Sequence, residues 1–190
     1  MPILGVIASS TRQGLAPADT GAMYSIGTVL VGSGGASSIS FTSIPSTYKH
    51  LQLRITSRDN RAATLNNFHM RLNSDTTNSY TYHTALADTS TVVSDGTTSP
   101  VDKTDYYYEP STSTTASVFA SSVIDILDYS FSTKYKTIRM SGGYDNNGVG
   151  RLTFTSNLWI NTSAVTGISF TNSSGANFSQ YSSFALYGIK

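Results

Sequence analysis

The residues in this chain that could carry chemistry are few. Its only imidazoles are His50, His69 and His83. Together they could hold zinc, but no two lie at short ligand spacing and each falls in or beside a separate run of alternating residues. They read as solvent-facing or hydrogen-bonded side chains. Asp145-Asn146-Asn147-Gly148 offers oxygen ligands and a glycine, as a calcium loop does, yet lacks the spaced acids and the terminal bidentate glutamate. Asn-Gly is also the commonest hairpin tip, because both residues tolerate positive φ. Asp125 and Asp128, and the group Asp102, Asp105 and Glu109, are the nearest approach to the carboxylate pair of a glycosidase. No GxSxG elbow accompanies the many serines. No catalytic, cofactor-binding or metal-ligating residue is assigned, and the expectation is a non-enzymatic protein.

One exposed-looking cluster suits binding. Tyr106-Tyr107-Tyr108 lies in a stretch, Thr89 to Thr115, rich in Ser, Thr, Asp and Pro and without clear periodicity. Tyrosine offers apolar area with a polar tip at low entropic cost, which suits a glycan or a subunit contact. The alternative is that the three continue a strand, with Tyr107 inward and its neighbours half exposed.

The elements that would position these groups are strands. His50 to Thr56 sets Leu51, Leu53 and Ile55 on one face, and Phe68, Met70 and Leu72 repeat the pattern with His69 and Arg71 outward. Ile39 and Phe41 alternate with serines before Ile44-Pro45 ends that run. Tyr80 to Ala87, Ala164 to Thr171 and Tyr181 to Ile189 add further strands. Ser117 to Leu127 reads as a strand buried on both faces, with helix as the alternative. Lys134 to Ile160 reads as an antiparallel hairpin, its second half placing Leu152, Phe154, Ser156, Leu158 and Ile160 inward and Thr153, Thr155, Asn157 and Trp159 outward. Lys134, Lys136, Arg139 and Arg151 give it a positive outward face. The spacing predicts eight or nine strands: an all-β, jelly-roll-like antiparallel β-sandwich over 37–190.

Residues 1–36 differ. Nine Pro and Gly residues leave no room for a long periodic element, although a short strand fits at 24–31. Ile3, Leu4, Val6, Ile7, Met23, Ile26 and Val29 are too apolar for a solvated linker. An extended N-terminal arm satisfies both facts, lying either on its own domain or across a neighbouring subunit.

Composition narrows the classes. Only 12% of the 190 residues are charged and the net charge is +1, which provides no basic stripe for nucleic acid. The absence of cysteine removes disulfides and thiolate chemistry. No apolar run approaches the roughly 20 residues of a membrane-spanning helix, and the apolar start lacks the basic region of a secretory signal.

Three segments, ISFTSIPSTYKHLQLRITSR (39–58), IDILDYSFSTKYKTIRMSGGYDNNGVGRLTFTSNLWINTSAVTGISF (124–170) and SQYSSFALYGIK (179–190), resemble small virion proteins of tailed bacteriophages. The resemblance implies a virion structural protein, as a homotrimer that contacts other capsid or tail proteins. A surface-displayed capsid decoration (cement) protein anchored by its arm is the leading expectation. A tail fibre or baseplate protein binding host-cell glycans is the alternative.

Overall fold

A computed structural model describes residues 21–190. Twelve strands form: β1 (Met23–Leu30), β2 (Ser38–Phe41), β3 (His50–Ser57), β4 (Leu65–Leu72), β5 (Tyr80–Asp88), β6 (Thr91–Gly96), β7 (Tyr107–Pro110), β8 (Ala120–Ile126), β9 (Lys136–Asp145), β10 (Gly150–Trp159), β11 (Ile168–Asn172) and β12 (Ser183–Ile189). They build two antiparallel sheets in a jelly-roll-like sandwich, one ordered β1-β12-β3-β8-β9-β10-β5-β6 and one ordered β2-β11-β4-β7. The described residues contain no helix.

The core lies between the sheets and follows the alternation. Leu51, Leu53 and Ile55 of β3 face Phe68, Met70 and Leu72 of β4, and all are buried. An aromatic centre joins the layers: Phe68 packs on Tyr107 at 5.3 Å, and Phe184 of β12 meets Phe170 at 5.2 Å and Phe178 at 5.0 Å. Such offset and edge-on pairs add roughly 0.5–1.5 kcal/mol each beyond their buried area.

β1 is an edge strand of the large sheet, paired with β12 from Met23↔Ile189 to Leu30↔Ser183. Ile26 and Val29 pack against the core, whereas Met23 is exposed. The part of the expected arm within the described residues is therefore tied to its own sheet, and Ile3, Leu4, Val6 and Ile7 lie outside the described residues. At its other end Lys190 N–H donates to the Ala22 carbonyl over 3.2 Å. Gly188 lies beneath Tyr48, where a Cβ would come within 2.2 Å of the ring.

Four orientations differ from the sequence expectation. β10 is inverted: Thr153, Thr155, Asn157 and Trp159 are buried, while Leu152 is 64% and Phe154 53% exposed. Register decides this, because Asn157 and Thr155 stand opposite Ile138 and Met140 of β9, whose side chains face the core together with the large Trp159. His69 is buried rather than outward, since the segment before β7 crosses beside β4 and Thr104 bonds to Met70 in both directions. Lys136 is fully enclosed, its Nζ donating to the carbonyls of Phe131, Lys134 and Thr162, so it leaves the expected positive face. β8, expected to be buried on both faces, exposes Ser121 and half-exposes Val123 and Asp125.

Candidate functional site

The small sheet is narrower than the large one, and β7 is its edge, packed against β8, β9 and β10. β5 and β6 project past it. Val93 shows the overhang: it stands opposite buried Leu86 on the interior-facing side, yet it is 52% exposed. This leaves a ledge whose floor comes from β5, β6 and the start of β10 and whose wall is β7.

Three tyrosine rings line that ledge. Tyr82 of β5 lies 5.0 Å from Tyr106, which meets Tyr108 edge-on at 5.9 Å. The Arg151 guanidinium sits 4.7 Å over the Tyr108 ring, and its Nη2 donates to Asp88 over 3.0 Å. The Tyr106 hydroxyl donates to Asp95 of β6. Asp105 donates nothing but accepts from the Asn67 amide and the Tyr106 N–H, which pins the wall to β4. Burial, with the Asp95 bond next, raises the Tyr106 hydroxyl above the ordinary phenol range, so it remains a hydrogen-bond donor at neutral pH.

Tyr106 occupies the left-handed region at φ 66°. A bulky residue there is uncommon and costs on the order of 1–3 kcal/mol, which the surrounding bonds must offset. Tyr107 behaves differently: it is fully buried, and its hydroxyl accepts from the Asn157 amide at 3.2 Å. It is a core residue, and of the tyrosine run only Tyr106 and Tyr108 can meet a partner. Tyr82, Arg151 and Asp95 complete the ledge from strands distant in sequence.

Flat half-exposed rings beside an arginine and carboxylates match what a saccharide presents, namely apolar ring faces edged with hydroxyls. The other sequence candidates meet only in separate local pairs, His50 with Asp128 at 3.6 Å and His69 with Asp105 at 3.7 Å. His50 Nδ1 accepts the Asp128 N–H at 2.9 Å, and His69 Nδ1 lies 3.0 Å from the Thr104 carbonyl, its pKa lowered by burial. Asp125 accepts from Gln52, Asp128 pairs with Lys134, and Asp102 pairs with Arg71 and Lys103. The Asp145 carboxylate accepts the Asn147 N–H at 2.8 Å and closes the β9–β10 turn. Among the described residues no three His, Cys, Asp or Glu side chains gather as a metal cluster.

A second polar group lies inside the sandwich. Glu109, the single glutamate of the chain, faces inward from β7 opposite Asn66, and it is fully buried. Burial, with the Asp59 charge adding to it, pushes its carboxyl up to about 8, against the milder influence of Ser57 and Asn172. Nothing in the sequence pattern marks that burial, since a lone Glu before Pro110 reads as solvated.

Comparison with protein-family models, with curated proteins and with solved structures gives no match to this chain.

Proposed function

We propose that this chain is a non-enzymatic structural protein of a tailed-bacteriophage virion, displayed on the particle as a capsid decoration protein and anchored through its N-terminal segment. The observation that carries the reading is the outer face of the large sheet. Leu152 and Val92, the latter 81% exposed, line an open trough of about 960 Å³ there with Ala87, Ser141 and Gly143, and Phe154 and Ala85 stand on the same face. Around Leu152 and Val92 the face combines exposed apolar side chains with small residues, which suits close apposition to a neighbour, while Arg54, Asp125 and Arg139 keep charge farther along it. The resemblance of residues 39–58, 124–170 and 179–190 to phage virion proteins supports the same reading, including its homotrimeric state.

The test removes residues 1–20 and leaves β1 in place. Phage assembled with this variant should lack the protein on the capsid while the isolated variant keeps its fold. Normal incorporation of the shortened protein defeats the anchor. A copy number of a few to dozens per particle, in place of hundreds, moves the protein from head to tail.

The tyrosine ledge favours a second reading, a tail fibre or baseplate protein that binds a host surface glycan. Tyr106, Tyr108 and Arg151 would carry the contact.

A further inference from the structure

We propose that Glu109 and Asp59, with the Asn172 side-chain oxygen and the hydroxyls of Ser57 and Ser111, form an internal calcium site that ties β7 to the rest of the sandwich. All five residues are enclosed; Asn172 is 6% exposed and the other four are at zero. Their placement follows from the strands. Glu109 faces inward from β7 and Ser111, the residue after that strand, is also enclosed; Asn172 ends β11 on the interior side, and Ser57 ends β3. Asp59 N–H donates to the Pro110 carbonyl over 3.1 Å, which sets Asp59 beside Glu109. Asn66, opposite Glu109 in register, donates to Asp59 and so holds its carboxylate in place.

What points to a ligand is the state of these atoms. Both Glu109 oxygens, both polar atoms of the Asn172 amide, and the Ser57 and Ser111 hydroxyls are buried without a hydrogen-bond partner. Ser57 and Asn172 face the Glu109 carboxyl closely enough to temper its proton affinity, but not at hydrogen-bonding geometry. Unpaired buried polar groups cost roughly 1–3 kcal/mol each, and five of these six atoms are oxygens, acceptors that one cation can serve together. Neither nearby cation reaches Glu109: Arg58 donates to the carbonyls of Thr114, Thr115 and Val118, while Arg61 gives its backbone N–H to Asp59 and its guanidinium to Asn66.

The donor set selects the ion. Every candidate ligand is oxygen, which excludes the thiolate and imidazole preference of zinc and copper. Magnesium keeps several waters in a rigid octahedron, whereas calcium accepts six to eight oxygens of mixed kind in loose geometry. Two carboxylates balance one divalent ion. A single proton satisfies only one of them and leaves the hydroxyl oxygens and the Asn172 carbonyl oxygen as they are.

The test compares protein refolded in a chelator with protein refolded in calcium, read by thermal unfolding and by native mass spectrometry. At about a hundredfold excess over the dissociation constant, calcium should raise the midpoint by about 5–10 °C and one ion should travel with the folded chain. Glu109→Gln keeps the shape and removes the charge. It should fold in chelator and show neither the rise nor the ion. An unchanged wild-type midpoint with no bound ion overturns the site and leaves Glu109 as a buried neutral acid. An ion or a midpoint rise retained by Glu109→Gln places calcium elsewhere and also overturns it. Equal stabilisation by magnesium overturns the choice of metal.

Discussion

The indole N–H of Trp159 donates to Oδ2 of Asp75 over 2.7 Å, joining the end of β10 to the turn after β4. The same carboxylate accepts the Thr77 N–H and hydroxyl and the Ser79 hydroxyl. Partial burial works against its charge, but these bonds outweigh it and hold Asp75 well below the usual carboxylate range. A depressed folded-state value contributes stability above the unfolded value of 3.8, lost as pH falls through and below it. Asp75→Asn should therefore flatten the acid limb of the melting-temperature profile between about pH 2 and 4. It should also shift the fluorescence of the only tryptophan. An unchanged acid limb removes Asp75 from the account of acid sensitivity.

Lys136 gives a larger effect from a less conspicuous residue. Its ammonium closes three loop carbonyls at 2.6, 2.9 and 3.0 Å. Lys136→Met should destabilise the fold by about 2–4 kcal/mol, since the carbonyls remain and the donor is gone. The exposed neighbour change Lys134→Met should stay within about 0.5 kcal/mol. Urea unfolding of the two variants checks the contrast, and equal losses would refute it.

Leu152→Ser and Phe154→Ser separate stability from assembly. Both side chains leave the outer face of the sheet, so each change should alter unfolding free energy by less than about 0.5 kcal/mol. Incorporation into particles should fall if that face meets a neighbour. Wild-type incorporation of the double variant would exclude the face as the contact.

The ledge is tested by three changes at adjacent positions. Tyr106→Ala and Tyr106→Gly should both weaken adsorption to host cells about tenfold or more, as expected for losing one stacked ring and its hydrogen bond. The glycine variant should be the more stable of the two, because φ 66° suits it. Tyr107→Ala should instead cost about 3–5 kcal/mol of fold stability. Unaltered adsorption by Tyr106→Gly would count against glycan binding.

How legible this was depends on burial of one face. Leu51, Leu53 and Ile55 announce β3 because their partners across the strand are Gln52, Arg54 and Thr56. β6 has no such contrast, being exposed on both faces, and β7 is four residues long, so both vanished into a Ser- and Thr-rich stretch. β10 misled for a different reason. Its apolar set, Leu152 and Phe154, lies outside while hydroxyls fill the interior, and only the pairing with Ile138 and Met140 fixes which side wins. The tyrosine run was visible as chemistry, but Tyr82, Asp95 and Arg151 reach it through pairings far apart in sequence. The interior group around Glu109 left no trace at all, since its members come from three segments far apart in sequence, 57–59, 109–111 and 172.

The pairing of β1 with β12 has a practical consequence. With Met23 opposite Ile189, and Lys190 bonded to Ala22, positions 21 and 190 leave the large sheet at one corner. A dye attached after Lys190 would thus sit beside the point where residues 1–20 join the domain, and would sense whatever that segment touches. A short linker from 190 to 21 would likewise allow the chain to be reopened at the Asn146–Val149 tip as a circular permutant, in which the large sheet keeps every neighbour while its order of synthesis changes.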